Sequence, residues 1–121
     1  LAQMKEISLD EIQAVGREVK VGHNRTIEYM GGNVFSCRLH GSEIAQFELE
    51  SDPRAIKVSL DHCRYMTTTT RQAMKDFMGF FGVQGGVSFA KGKFGIRYRA
   101  VDTRYYDIDD APRNVTFVAA R

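Results

Sequence analysis

The sequence predicts an α+β domain. It consists of a twisted, mainly antiparallel sheet of about six or seven strands, one central helix packed on a face, and a short N-terminal helix. Three observations predict it. From residue 34 to residue 60, apolar and polar side chains alternate in three consecutive runs, as in antiparallel strands covered on one face. From 67 to 81, Ala73, Met74, Phe77, Met78 and Phe81 recur at helical spacing. Glycine, proline and asparagine punctuate the runs at turn-like intervals.

Residues 8 to 20 begin with a capping box, Ser8 with Glu11, and continue with Leu9, Ile12, Val15 and Val19 at spacings of three and four. This predicts the short helix, weakened by Gly16. The first strand runs from Thr26 to Met30, and Gly31-Gly32-Asn33 turns the chain. The second runs from Val34 to His40 with Phe35, Cys37 and Leu39 on one face. The third runs from Glu43 to Glu50 with Ala45, Phe47 and Leu49 inward. The fourth runs from Ala55 to Leu60 with Ile56, Val58 and Leu60 inward. Proline in Ser51-Asp52-Pro53-Arg54 pre-sets the turn between the last two.

The central helix opens on a threonine run, Thr67 to Thr70. Thr69 with Gln72 fits a capping box, and Gly82 fits a C-terminal stop. Gly79 interrupts the stripe, as expected where a helix approaches a strand closely. Val87 to Lys91 and Phe94 to Arg99 form a hairpin around Gly92, with Phe94, Ile96 and Tyr98 on one face. The stretch Asp102 to Asp110 carries a strand around Tyr105, Tyr106 and Ile108. Val115 to Ala119 is the last strand, and Leu1-Ala2-Gln3 reads as a frayed end.

With 121 residues, 43% hydrophobic and 26% charged, the chain is read as one domain, 1–121. The net charge of +2 excludes a strongly acidic mimic of DNA and is too small to identify a nucleic-acid binder alone. No run approaches the ~20 apolar residues that cross a bilayer, so no membrane partner is expected. Cys37 and Cys63 have no metal-like spacing and read as reduced thiols. His23, His40 and His62 are scattered, so neither a metal nor another cofactor is expected. Asp61-His62-Cys63 places a thiol beside an imidazole, but neighbours on a strand point to opposite faces. Asp107, Asp109 and Asp110 lack the glycine and terminal glutamate of an EF-hand, and Gly82-Val83-Gln84-Gly85-Gly86 lacks the ending of a phosphate-binding loop.

The chemically richest stretch is 91–99, where Lys91, Lys93, Arg97 and Arg99 interleave with Phe94 and Tyr98. Cations track a phosphate backbone and aromatic faces stack on unpaired bases. Arg104, Tyr105 and Tyr106 extend this surface. The site predicted is therefore Lys91, Lys93, Arg97, Arg99 and Arg104 for phosphates, with Tyr98, Tyr105 and Tyr106 for stacking.

Leu39-His40-Gly41 followed by Ile44-Ala45, and Thr69-Thr70-Arg71 opening a helix before a hairpin, resemble small proteins encoded by bacteriophages and prophages. The resemblance covers residues 26–99, and the chain departs from it in the glycine-rich loop and in the tail after residue 100. It implies a phage accessory protein in the cytoplasm of a bacterial host. Lys91-Gly92-Lys93 is similar to a tripeptide of the Whirly-type single-stranded-DNA-binding fold. Together these readings predict non-catalytic binding of nucleic acid, single-stranded DNA preferred, by an oligomer joined through sheet edges. The alternative is a phage protein that binds and inhibits a host protein, a polymerase or a defence nuclease, through an apolar patch. An enzyme is the least favoured class, because no catalytic constellation stands out.

Overall fold

The structure is a computed structural model that describes residues 4–121. The reading of Leu1-Ala2-Gln3 lies outside the described residues. Helix α1 (Leu9–Val15) has the predicted capping box, with the Ser8 hydroxyl accepting from the Glu11 N–H at 3.1 Å. It is shorter than the sequence suggests. Gly16, at φ +69°, stops it in the left-handed region, and Val19 belongs instead to strand β1 (Val19–Gly22). A β-branched residue three places beyond a helix-ending glycine suits a strand.

Strands β2 (Arg25–Gly31), β3 (Val34–Leu39), β4 (Ser42–Leu49) and β5 (Ala55–Asp61) follow as predicted, within a residue or two. His40 and Gly41, both at positive φ, make the two-residue turn between the Leu39 and Ser42 pair. A bulge opposite Cys37 and Arg38 shifts the alternation of β4, so Ile44 and Ala45 are both buried. Inward, Ile27, Phe35, Phe47, Ile56 and Val58 are fully buried.

Helix α2 (Thr68–Phe80) covers this face through Ala73, Met74, Phe77 and Met78. Thr67, not Thr69, is the N-cap, its hydroxyl accepting from the Thr70 N–H at 3.2 Å. Beyond the helix, Phe81 stacks on Phe47 (4.1 Å between centroids, 10° between planes) and meets Phe35 edge-on. Gly82 follows at φ +76°, the expected stop. Gly79 is exposed, and a Cβ there would meet nothing within 4 Å, so it serves no close approach to a strand. Arg25 of β2, 5% exposed, lies 3.1 Å from the Asp76 carboxylate and ties the sheet to the helix.

The remaining strands depart from the single-sheet expectation. β6 (Gly85–Ala90), β7 (Lys93–Arg99) and β8 (Tyr105–Ile108) form a separate antiparallel sheet in that order. The last strand, β9 (Asn114–Ala120), returns to pair with β5, giving a six-stranded sheet ordered β1-β2-β3-β4-β5-β9. The described residues thus carry nine strands in two sheets. The small sheet docks through Val87, Phe94 and Ile96, which join the common core. Tyr98 stacks on Phe117 of β9 at 4.3 Å, and His62 meets Phe94 edge-on at 5.1 Å. At Gly85 the backbone is so close that a Cβ would collide with the Arg97 carbonyl oxygen.

Candidate nucleic-acid interface

Cross-strand pairing sorts the small sheet into two faces. Gly86 opposes Arg97, Ser88 opposes Gly95, and Ala90 opposes Lys93 across β6 and β7. Arg97 opposes Asp107 and Arg99 opposes Tyr105 across β7 and β8. These residues share the outer face, because directly opposed side chains point the same way. Gly86 and Gly95 leave its floor without side chains. A cleft of about 270 Å³ opens there, walled by Arg71 and Lys75 of α2 on one side and by Arg97, Asp107 and Asp109 on the other.

The predicted residues divide accordingly. Lys91 is exposed at the hairpin tip at φ +53°, with Gly92 at +75°, as a two-residue primed turn requires. Lys93 pairs with Asp110 at 3.2 Å, Arg97 with Asp107 at 3.7 Å, and Arg104 with Asp102 at 3.5 Å. The side chains in these pairs are between 42% and 78% exposed, so each pair is weak and a phosphate can displace the carboxylate. Arg99 donates from Nη1 to the Gln84 side-chain oxygen at 3.0 Å, a neutral partner. Arg97 also lies over the Tyr105 ring, 4.7 Å from its centroid.

The aromatics do not all face solvent. Tyr105 is 48% exposed on the outer face. Tyr98 points inward, one ring face taken by Phe117, and belongs to the contact between the sheets. Tyr106 stands on that same inner side beside Tyr98, 40% exposed at the margin. Its hydroxyl donates to Asp102 at 2.7 Å, which holds the Asp102 carboxyl below the ordinary range and pushes the tyrosine up. Of the three tyrosines expected to stack, Tyr105 alone presents an exposed ring on the outer face.

Arg71 and Lys75 were not among the predicted residues. Their spacing of four, off the apolar stripe of α2, is the signal that put them on one helix face. With them, the surface gathers Lys91, Lys93, Arg97, Arg99, Arg104, Arg71 and Lys75 around Asp102, Asp107, Asp109 and Asp110. Seven cations against four carboxylates leave an excess of three, more than the net charge of the whole chain, +2. The outer face of the large sheet differs. Glu28, Arg38, Glu43, Gln46, Glu48 and Lys57 mix both signs there without an aromatic.

The Asp61-His62-Cys63 stretch has a structural explanation. Cys63 and Arg64, at φ +53° and +64°, form the turn into α2. Asp61 holds it by accepting from the Cys63 N–H at 2.7 Å and from Arg113 Nε at 2.8 Å. Burial alone would raise the Asp61 carboxyl, but these hydrogen bonds outweigh it and keep the carboxyl below the usual range. His62 Nδ1 accepts from the Arg64 N–H, so it cannot serve Cys63. The Cys63 thiol donates to the Glu43 carbonyl, and burial, reinforced by Asp61, raises its pKa. It is held as a thiol rather than as a nucleophilic thiolate.

Among the described residues, no group of three or more His, Cys, Asp or Glu side chains is placed to hold a metal ion. No described helix is long and apolar enough to cross a membrane. No protein-family model matches the chain, and no curated protein or solved structure matches it.

Proposed function

We propose that the chain binds single-stranded nucleic acid, DNA by preference, without chemistry, through the outer face of the three-stranded sheet. One observation carries this reading: a cleft floored by Gly86 and Gly95 is walled by Arg71, Lys75 and Arg97, with Tyr105 exposed beside Arg97. The bare floor admits a flat group, the cations meet phosphates, and the tyrosine offers a face to an unpaired base. Asp107 and Asp109 in the same wall make the mode exchange-dependent. Arg97 trades its carboxylate for a phosphate, so affinity is moderate and steeply salt-dependent. The phage setting and the cytoplasm of a bacterial host rest on the resemblance of the Leu39-His40-Gly41 and Thr69-Thr70-Arg71 stretches.

Fluorescence anisotropy of a labelled single strand, with duplex in parallel across a salt series, tests the proposal. Salt-sensitive binding that prefers the single strand is expected. Absence of binding at low salt and micromolar protein overturns it.

Self-association belongs to the same reading, and we assign it to β9. This edge strand of seven residues, Asn114–Ala120, contains no charge and no proline. At the opposite edge, β1 receives a hydrogen bond from the Lys5 N–H to the Val21 carbonyl at 2.7 Å. An edge strand without charge or proline pairs readily with a second copy of itself. A second reading, inhibition of a host protein, is favoured by a different feature. A groove of about 400 Å³ at the start of α2 is lined by Leu39, Ile44 and the 61% exposed Tyr65. Capture of a host polymerase or nuclease that is lost on Tyr65→Ala, with no oligonucleotide bound, selects it.

A further inference from the structure

We infer that the cleft where the ends of the two sheets meet is a seat for a single phosphoryl group. It encloses about 250 Å³, and Arg54, Arg99 and Arg121 line it together with Gln84, Ala100 and Thr103. The three arginines come from the turn before β5, the end of β7 and the residue after β9, so only the fold brings them together. The composition of the wall distinguishes this cleft. The cleft under Arg97 includes Asp107 and Asp109, and the one at the hairpin tip includes Asp109 and Asp110. The one on the large sheet includes Glu43 and Asp61, and the groove at the start of α2 has no arginine, lysine or carboxylate. Among these five clefts of the described residues, the one between the sheet ends is walled by arginine with neither aspartate nor glutamate in its lining.

Two of the guanidiniums are oriented by neutral partners, which fix them in place without cancelling their charge. Arg99 Nη1 donates to the Gln84 side-chain oxygen at 3.0 Å. Arg121 Nε donates to the Phe81 carbonyl at the C-terminal end of α2, at 3.1 Å. The Arg121 N–H is tied to the Arg54 carbonyl at 2.8 Å, which holds the third arginine's backbone against the second. Arg54 itself pairs with Asp52 through Nε at 3.2 Å and Nη2 at 3.1 Å, so it adds donors and shape rather than net charge. Two guanidiniums without an aspartate or glutamate partner suit a phosphate monoester, which carries about −1.5 to −2 at neutral pH, and their planar forks fit its oxygens.

Arg99 is shared with the strand-binding surface, while Arg54 and Arg121 lie outside it. The seat therefore stands whether or not a strand binds. Its phosphoryl group has two possible sources, a free small phosphate or the terminal phosphate of a strand.

Titration calorimetry with inorganic phosphate at fixed ionic strength, against chloride, is the first arm. Saturable uptake by the unaltered chain is expected. Arg121→Ala should weaken it by about tenfold or more, as loss of one charge-assisted contact does. Arg54→Ala gives a second, milder loss, and Lys57→Ala, on the outer face of the large sheet, leaves uptake unchanged. The second arm compares 5′-phosphorylated and 5′-hydroxyl oligonucleotides of one sequence. A gain for the phosphorylated strand that Arg121→Ala removes identifies a strand end as the source. Phosphate uptake without that gain identifies a small molecule. No uptake beyond chloride, or equal losses from Arg121→Ala and Lys57→Ala, overturns the inference. Oligonucleotide binding that survives such a result leaves the strand proposal standing.

Discussion

The two sheets of this protein use their charges in opposite ways. On the six-stranded sheet Arg38 and Glu43 spend their charges on neighbouring side chains. Arg38 sits between Glu18 at 3.1 Å and Glu28 at 3.6 Å, and the Ser36 hydroxyl donates to Glu43, which also accepts from Gln46. On the three-stranded sheet the pairs are longer or more exposed, the floor is glycine, and Arg97 and Arg99 stand along one strand on one face. Both sheets bury their other face in the same core. On the first, Arg38 is held between two carboxylates; on the second, the paired charges are more exposed and so more open to exchange.

Breaking the scaffold gives the largest effect. Phe81 is 1% exposed and packs against Phe35 and Phe47, joining the end of α2 to the large sheet. Phe81→Ala should cost about 3–5 kcal/mol of stability, seen as a lower midpoint in denaturant. Gly85→Ala acts on the small sheet, because the new Cβ would collide with the Arg97 carbonyl of the paired strand. A loss of about 1–3 kcal/mol is expected, as for other overpacked sites. Hydrogen exchange should locate it, with faster exchange in β6 to β8 while β2 to β5 keep their protection. Equal acceleration in both sheets would mean that they are one cooperative unit.

The turn that leads from the large sheet into α2 comes next. Asp61→Asn should cost about 1.5–3 kcal/mol at neutral pH, because the charged acceptor of Cys63 N–H and Arg113 is lost. The Asp61 carboxyl is held below its ordinary value in the folded chain. Its contribution is therefore complete above the unfolded value of about 3.9 and disappears as pH falls through the lower folded value. Denaturation from pH 7 to pH 2 should show the two proteins converging in acid. A constant gap would mean that the carboxylate charge is not what holds the turn.

The difference between the sheets also explains what the sequence made legible. Strands β2 to β5 follow one another in a meander, so alternation and turn residues define both the strands and their neighbours. The hairpin of β6 and β7 was equally readable, down to the face that Phe94, Ile96 and Tyr98 share, but which of its faces meets the core was not. Nor was its sheet membership, because it depends on β9 passing over β8 to pair with β5, whose partners lie between 53 positions (Asp61 with Asn114) and 65 positions (Ala55 with Ala120) back along the chain. No local signal in Val115 to Ala119 names that partner. The site suffered in the same way. Lys91, Lys93, Arg97 and Arg99 were found from their interleaving, but Tyr98 was assigned outward because Phe117, which stacks on it, belongs to a distant strand. Arg71, Arg54 and Arg121 come from separate elements, so no stretch of sequence shows them together.

One smaller change tests the scaffold in the stabilising direction. Gly79 lies in α2, exposed, with open space around the position of a Cβ and a helical backbone that alanine adopts freely. Gly79→Ala should raise stability by about 0.5–1 kcal/mol, because glycine loses more conformational freedom in a helix. Thermal melting measures it, and a lower melting temperature would show that the position has a role the open space does not reveal.

The smallest stability effect is expected where the functional effect is largest. Lys93 is held by an exposed pair with Asp110, and Arg97 by one with Asp107 and by the exposed Tyr105 ring, so replacing both with alanine should change stability by only about 0.5–1 kcal/mol. If their outer face meets phosphates, the double variant should lower the salt slope of oligonucleotide binding by nearly two units, one counterion for each lost contact. The same exchange on the other sheet, Lys57→Ala, removes an exposed cation from a face where both signs are mixed. It should leave the slope unchanged. A slope that falls equally for both sheets would mean diffuse attraction to the whole molecule. A fall confined to β7 would mean that the two sheets differ in function as they differ in the way their charges are held.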